Sequence, residues 1–197
     1  MTNTYSKEEK DAVIDFCIDS LNFCLTTSDD SRWLFFDTDD IYMKKKLKQA
    51  ILEMDTSGFL RPSKIVEFDG KKNLNDDFKS PIIRQTVIRG DTILLFTNLL
   101  DYEKWYIDNH PENILEHPLI SGTFNWLRDS IFNEHEARII FLLSQEENKM
   151  FQLWGLDFYS QCESDYDLDY LLKVRKEYLI FTESEKKELG TNTRLSK

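Results

Sequence analysis

Glycine and proline are scarce in this chain, at 6 and 4 of 197 residues. So few turn-formers argue against a many-stranded sandwich and for helices joined to a modest sheet. The three cysteines, Cys17, Cys24 and Cys162, are odd in number and have no Cys-x-x-Cys spacing. That is no disulfide framework, and reduced thiols in a cytoplasmic protein are the expectation. No apolar run reaches membrane-spanning length, and the first ten residues lack the apolar core of a signal peptide. There is neither a Gly-x-Ser-x-Gly elbow nor a phosphate loop. No catalytic residue and no cofactor can therefore be assigned, and a non-enzymatic role leads.

Acidic residues are abundant, and their spread is uneven. Net charge is −11, and residues 91–170 hold 4 Lys/Arg against 16 Asp/Glu, a balance of −12. Residues 41–90 hold 11 against 6, a balance of +5. An acidic surface repels nucleic-acid phosphate and anionic lipid, and it suits a basic protein partner.

Hydrophobic residues make up 41% of the chain, enough to bury a core. Ile139–Leu143 is a short apolar run, the mark of a strand buried on both faces. After the polar Glu146-Glu147-Asn148, the segment Met150–Trp154 alternates and reads as a returning strand. A second hairpin is expected from Ile82–Ile88 to Thr92–Thr97 through Arg89-Gly90-Asp91, with Ile93–Phe96 a central strand beside Ile139–Leu143. Further strands are expected at Arg32–Phe36 and Lys64–Phe68, the latter turning at Asp69-Gly70.

Ser6 and Glu9 fit a capping box opening a helix over Lys7–Cys24, whose buried stripe carries Cys17 and Cys24 as apolar filler. Asp39 or Asp40 can cap a second helix. In it, Lys44, Lys45, Lys46 and Lys48 lie mostly off the apolar face. They could bind phosphate; a solvated face drawn to the acidic N-terminal segment is the leading reading. Helices are also expected over Asn98–Asn109, from a Ser121 or Thr123 cap to Asn133, and over Leu168–Phe181, where Tyr178–Phe181 also fits a strand. The expectation is an α+β fold. A single domain over residues 1–182 has a mixed or antiparallel sheet, with hairpins near 82–97 and 137–155, under about four to five helices. Residues 183–197 read as a polar, frayed tail.

Four constellations carry possible chemistry. His110, Glu112, Glu116 and His117 lie close together, but the histidines are seven apart in a loop, which suits loop polarity better than zinc. Asp165-x-Asp167-x-Asp169 begins like an EF-hand loop, yet Tyr170 stands where glycine is needed and Lys176 where glutamate is. No metal site is assigned. Asp69-Gly70-Lys71 with Asp55 upstream has the outline of a metal-dependent nuclease or hydrolase, the runner-up function.

The fourth is the run Trp154–Tyr170, in which Asp157, Glu163, Asp165, Asp167 and Asp169 alternate with Tyr159, Tyr166 and Tyr170. Carboxylates steer a basic partner and tyrosines give rigid contact area. The leading expectation is thus an acidic, cytoplasmic binding protein. Acting by protein–protein interaction, it would be an inhibitor or immunity-type protein of a mobile element, aimed at a basic or nucleic-acid-binding protein. Direct nucleic-acid and membrane binding are not expected.

Overall fold

The computed structural model describes residues 5–27, 32–59, 64–74, 92–112, 118–125, 138–160, 162 and 164–176. Its centre is β4 (Arg138–Leu143), all six residues of which are buried. Beside it lie β1 (Arg32–Asp37) and β3 (Thr92–Thr97), with β2 (Lys64–Asp69) and β5 (Ser164–Asp167) at the two edges. The order is β2-β3-β4-β1-β5, and every pair is parallel. Ile93–Thr97 runs beside Arg138–Leu142, so the two apolar runs are neighbours as expected.

Helices and strands are mixed, which fits the α+β expectation, but the expected mixed or antiparallel sheet is wrong: the sheet is all parallel, with helices on both faces. Both edges of β3 are taken by parallel strands; the proposed hairpin arm at 82–88 lies outside the described residues. The second hairpin, 137–155, is refuted directly. Residues Gln145–Trp154 form a helix opened by a capping box between Ser144 and Glu147. Ser144 Oγ accepts from the Glu147 amide at 3.2 Å, and the Glu147 carboxylate accepts from the Ser144 amide at 2.6 Å. Parallel strands need a crossover, and a helix supplies it where a two-residue turn cannot.

Among the described residues seven helices cover the sheet, more than expected. They are α1 (Lys7–Thr27), α2 (Ile41–Leu52), α3 (Leu99–Asn109), α4 (119–125 in its described part), α5 (Gln145–Trp154), α6 (Leu156–Tyr159) and α7 (168–176 in its described part). Strand alternation divides the core between the two faces. Trp33, Phe35, Leu94, Phe96, Ile139 and Phe141 meet Tyr102, Phe124, Phe151 and Phe158 of α3 to α6. Leu34, Phe36, Ile93, Leu95, Ile140 and Leu142 meet α1, α2 and α7, with Cys17 and Cys24 buried among them. Burial pushes the Cys17 thiol up to about 12, so it carries no thiolate at neutral pH.

Several starts follow the sequence. The Glu9 amide donates to Ser6 Oγ at 3.2 Å, and the Ser6 amide donates to the Glu9 carboxylate at 2.6 Å. Asp40, not Asp39, caps α2 by accepting from the Met43 amide at 3.0 Å. Ser121 and Thr123 do not cap α4, since both lie inside it. Its leading amides, Leu119 and Ile120, instead donate to the buried Glu103 carboxylate at 2.5 and 3.0 Å. The tail at 183–197 and residues 177–181 of the last expected helix lie outside the described residues.

Asp69-Gly70 ends β2, but it makes no hairpin. The Gly70 amide donates to Thr97 O at 2.9 Å, holding the turn against β3. A Cβ on Gly70 would stand 2.0 Å from Asn98 O, where Asn98 itself is left-handed (φ 54). Gly70→Ala is therefore expected to cost on the order of 1–3 kcal/mol through overpacking. Phe141→Ala, emptying the core beneath α4 and α5, is expected to cost about 3–5 kcal/mol. Chemical denaturation checks both.

Candidate functional site

A parallel sheet brings all its strand ends to one edge. At the carboxyl edge here, β1 hands the chain to α2 on one face, while its neighbour β4 hands it to α5 on the other. Adjacent strands whose connections leave on opposite faces open a crevice between them, the position where open α/β sheets bind ligands. Two surfaces of opposite charge meet there.

The first is acidic and follows from register. Asp165 pairs with Phe35 and Asp167 with Asp37, so alternation puts Asp37, Asp165 and Asp167 on the same face of the sheet. Asn148 of α5 lies over them. Its Nδ2 donates to Asp37 at 3.0 Å and to Asp165 at 3.4 Å, which leaves its buried Oδ1 with no partner among the described residues. Asp169, in the first turn of α7, completes the rim. It accepts from Thr38 Oγ1 at 3.2 Å, the Asp39 amide at 3.4 Å and Gln145 Nε2 at 3.3 Å.

Among the described residues, no Lys, Arg or His pairs with Asp37, Asp165, Asp167 or Asp169. Burial, then the charges of Asp167 and Asp165, pushes the Asp37 carboxyl up to about 7 despite the Asn148 bond. Asp169 is also held above the usual carboxylate range, by burial first and by Asp167 and Asp39 after it.

The expected partner-binding residues are thus only partly brought together. Asp165, Asp167 and Asp169 converge. Tyr159 joins them by donating its hydroxyl to Asp165. Tyr170 is 60% exposed beside them, and the Asp167 carboxylate caps its amide at 2.8 Å. Tyr166 points to the other face, where it stacks on Phe36 with ring centroids 5.0 Å apart. Asp157 is exposed on α6, and Glu163 lies outside the described residues. Asp37 was missed in the sequence, although its place two residues after Phe35 signals a shared face.

The second surface is a cleft of about 800 Å³ beneath α2 and α3. Lys44, Lys45 and Lys48 of α2, Lys71 after β2 and Lys104 of α3 line it, together with Asp39, Glu53, Asp101 and Glu147. Lys46 turns away and pairs with Asp11 of α1 at 2.5 Å, as the solvated-face reading anticipated for one of the four. At the floor, buried Glu147 bridges two elements. Its carboxylate accepts from the Leu100 amide at 2.9 Å and stands 3.4 Å from Lys44 Nζ.

The nuclease outline finds no geometry of its own. Asp69 is 5% exposed and already committed. It accepts from Asn98 Nδ2 at 2.8 Å and the Lys71 amide at 3.1 Å, and pairs with Lys72 at 3.3 Å. Burial works against its charge, but these donors hold it below the usual carboxylate range. Asp55 closes its own turn by accepting from the Ser57 amide at 2.9 Å. His110 stacks on Tyr106 with centroids 4.3 Å apart; Glu116 and His117 lie outside the described residues. No group of three or more His, Cys, Asp or Glu among the described residues is placed to hold a metal ion. No helix among them is long and apolar enough to cross a membrane. Comparison of the chain with protein-family models, with curated proteins and with solved structures finds no match.

The raised Asp37 carboxyl has a consequence for stability. Its folded value of about 7 lies above the ordinary value of about 3.9 for an unfolded chain. Between those values the folded chain holds a proton that the unfolded chain releases, so stability falls as pH rises from about 4 to about 7. Asp37→Asn keeps an acceptor for Asn148 and removes the buried charge. It is expected to stabilise the chain at pH 8 by on the order of 1–3 kcal/mol and to flatten this pH dependence, as read by denaturation across pH.

Proposed function

We propose that this chain is a non-enzymatic, acidic binding protein of the inhibitor or immunity type, acting in the cytoplasm on a basic or nucleic-acid-binding protein. The reading includes an origin in a mobile element, and it assigns no direct contact with nucleic acid or membrane. The observation that carries it is the carboxylate group at the ends of β1 and β5, which no cation neutralises among the described residues and whose charges add to burial in holding Asp37 near 7. Carboxylates spread along an edge suit the ammonium and guanidinium groups of a protein better than a single ion. The same acids serve the fold, because charge on β5, an edge strand among the described residues, discourages strand pairing between copies. Tyr170, exposed at the rim, offers rigid contact area.

A cation docked here favours ionised Asp37, so binding is expected to tighten as pH rises through about 7. The test is retention of host proteins on the immobilised chain beside an Asp165→Asn, Asp167→Asn, Asp169→Asn variant. The expected result is a basic protein held at low salt by the parent chain and weakened about tenfold or more by the variant. Identical retention by both, indifferent to salt, contradicts the proposal.

A further inference from the structure

The lysine-lined cleft is a separate surface with the opposite demand. In a chain of net charge −11, five ammonium groups line one crevice against four carboxylates. Several of these charges are already matched. Lys48 sits 2.5 Å from Glu67, Lys44 is held by Glu147, and Lys71 reaches Asp101 at 3.7 Å. Lys45 and Lys104 pair with no carboxylate among the described residues, and they approach the cleft from opposite helices.

The cleft also has an apolar share. Ile41 at its mouth is 85% exposed, unusual for an isoleucine, and Leu52 and Leu100 line it as well. Its volume falls within the range of small-molecule sites. Its position, beside the divergence of β1 and β4, is where the sheet's connections leave room for a ligand.

We propose that this cleft binds a phosphorylated small molecule of nucleotide size. Lys45 and Lys104 clasp its phosphates, and Ile41, Leu52 and Leu100 receive its apolar part. No glycine lines the cleft among the described residues, and Glu147 already occupies the Leu100 amide at the start of α3. The anion is therefore held by side-chain ammonium groups, and its affinity falls with added salt. Thr38 and Asp39 line the cleft while also bonding Asp169 of the acidic rim. The two surfaces thus share a single loop.

Calorimetry on the full chain with ATP, AMP and inorganic tripolyphosphate tests the proposal. Saturable binding is expected for ATP, weaker for AMP, which has fewer phosphates, and weaker for tripolyphosphate, which has no apolar part. A Lys45→Ala, Lys104→Ala variant is expected to lose about tenfold or more of the ATP affinity at unchanged thermal stability, since both side chains are exposed. Lys46→Ala, on the far side of α2, is the control and leaves ATP binding unchanged. No saturable binding by any of the three probes overturns the proposal. So does ATP binding that the double variant leaves intact. Neither result bears on retention of a basic protein, which is read from the Asp165, Asp167 and Asp169 variant.

Discussion

Burial of β4 on both faces is the constraint from which the rest follows. A strand buried at every position needs a strand on each edge and helices above and below. Parallel neighbours with helical crossovers meet that need, and they impose a direction. All strands finish at one edge, so side chains that the core cannot accept at strand ends, Asp37, Asp69 and Asp167 among them, gather there. The charge pattern at that edge comes from the topology as much as from the composition.

The edge is divided by sign. Around β1 and β5 the carboxylates have amide and hydroxyl donors but, among the described residues, no cation, and the charges of Asp167 and Asp165 add to burial in raising the cost of ionising Asp37. Around β2 and β3 the carboxylates are matched: Glu67 by Lys48 and Thr97, and Asp69 by Asn98 and Lys72. The same residue type is a buried structural hub at one end of the sheet and an unsatisfied charge at the other. Neutralisation by neighbours distinguishes them, and a linear charge count cannot show it.

Much of the layout was legible. Apolar runs located β3 and β4 and made them neighbours, and Ser6-x-x-Glu9 marked the start of α1. Strand direction was not legible, because an apolar run reads the same whether its neighbour is parallel or antiparallel. Met150–Trp154 was misread because its short alternation also fits a helix, while Ser144-x-x-Glu147, a capping box directly after the apolar run, was the stronger signal. At the site, spacing grouped Asp165, Asp167 and Asp169. Register alone added Asp37, more than a hundred residues away, and sent Tyr166 to the opposite face.

The burial and shared field that act on Asp37 at the ends of β1 and β5 are most directly measured by following its side-chain carboxyl through a pH titration with carbon-13 NMR, in the intact chain and in the variant that removes the neighbouring charges. A midpoint near 7 is predicted, falling when Asp165, Asp167 and Asp169 are replaced by asparagine. A midpoint in the ordinary aspartate range, near about 4 in the intact chain, would contradict a concentrated negative surface at this edge.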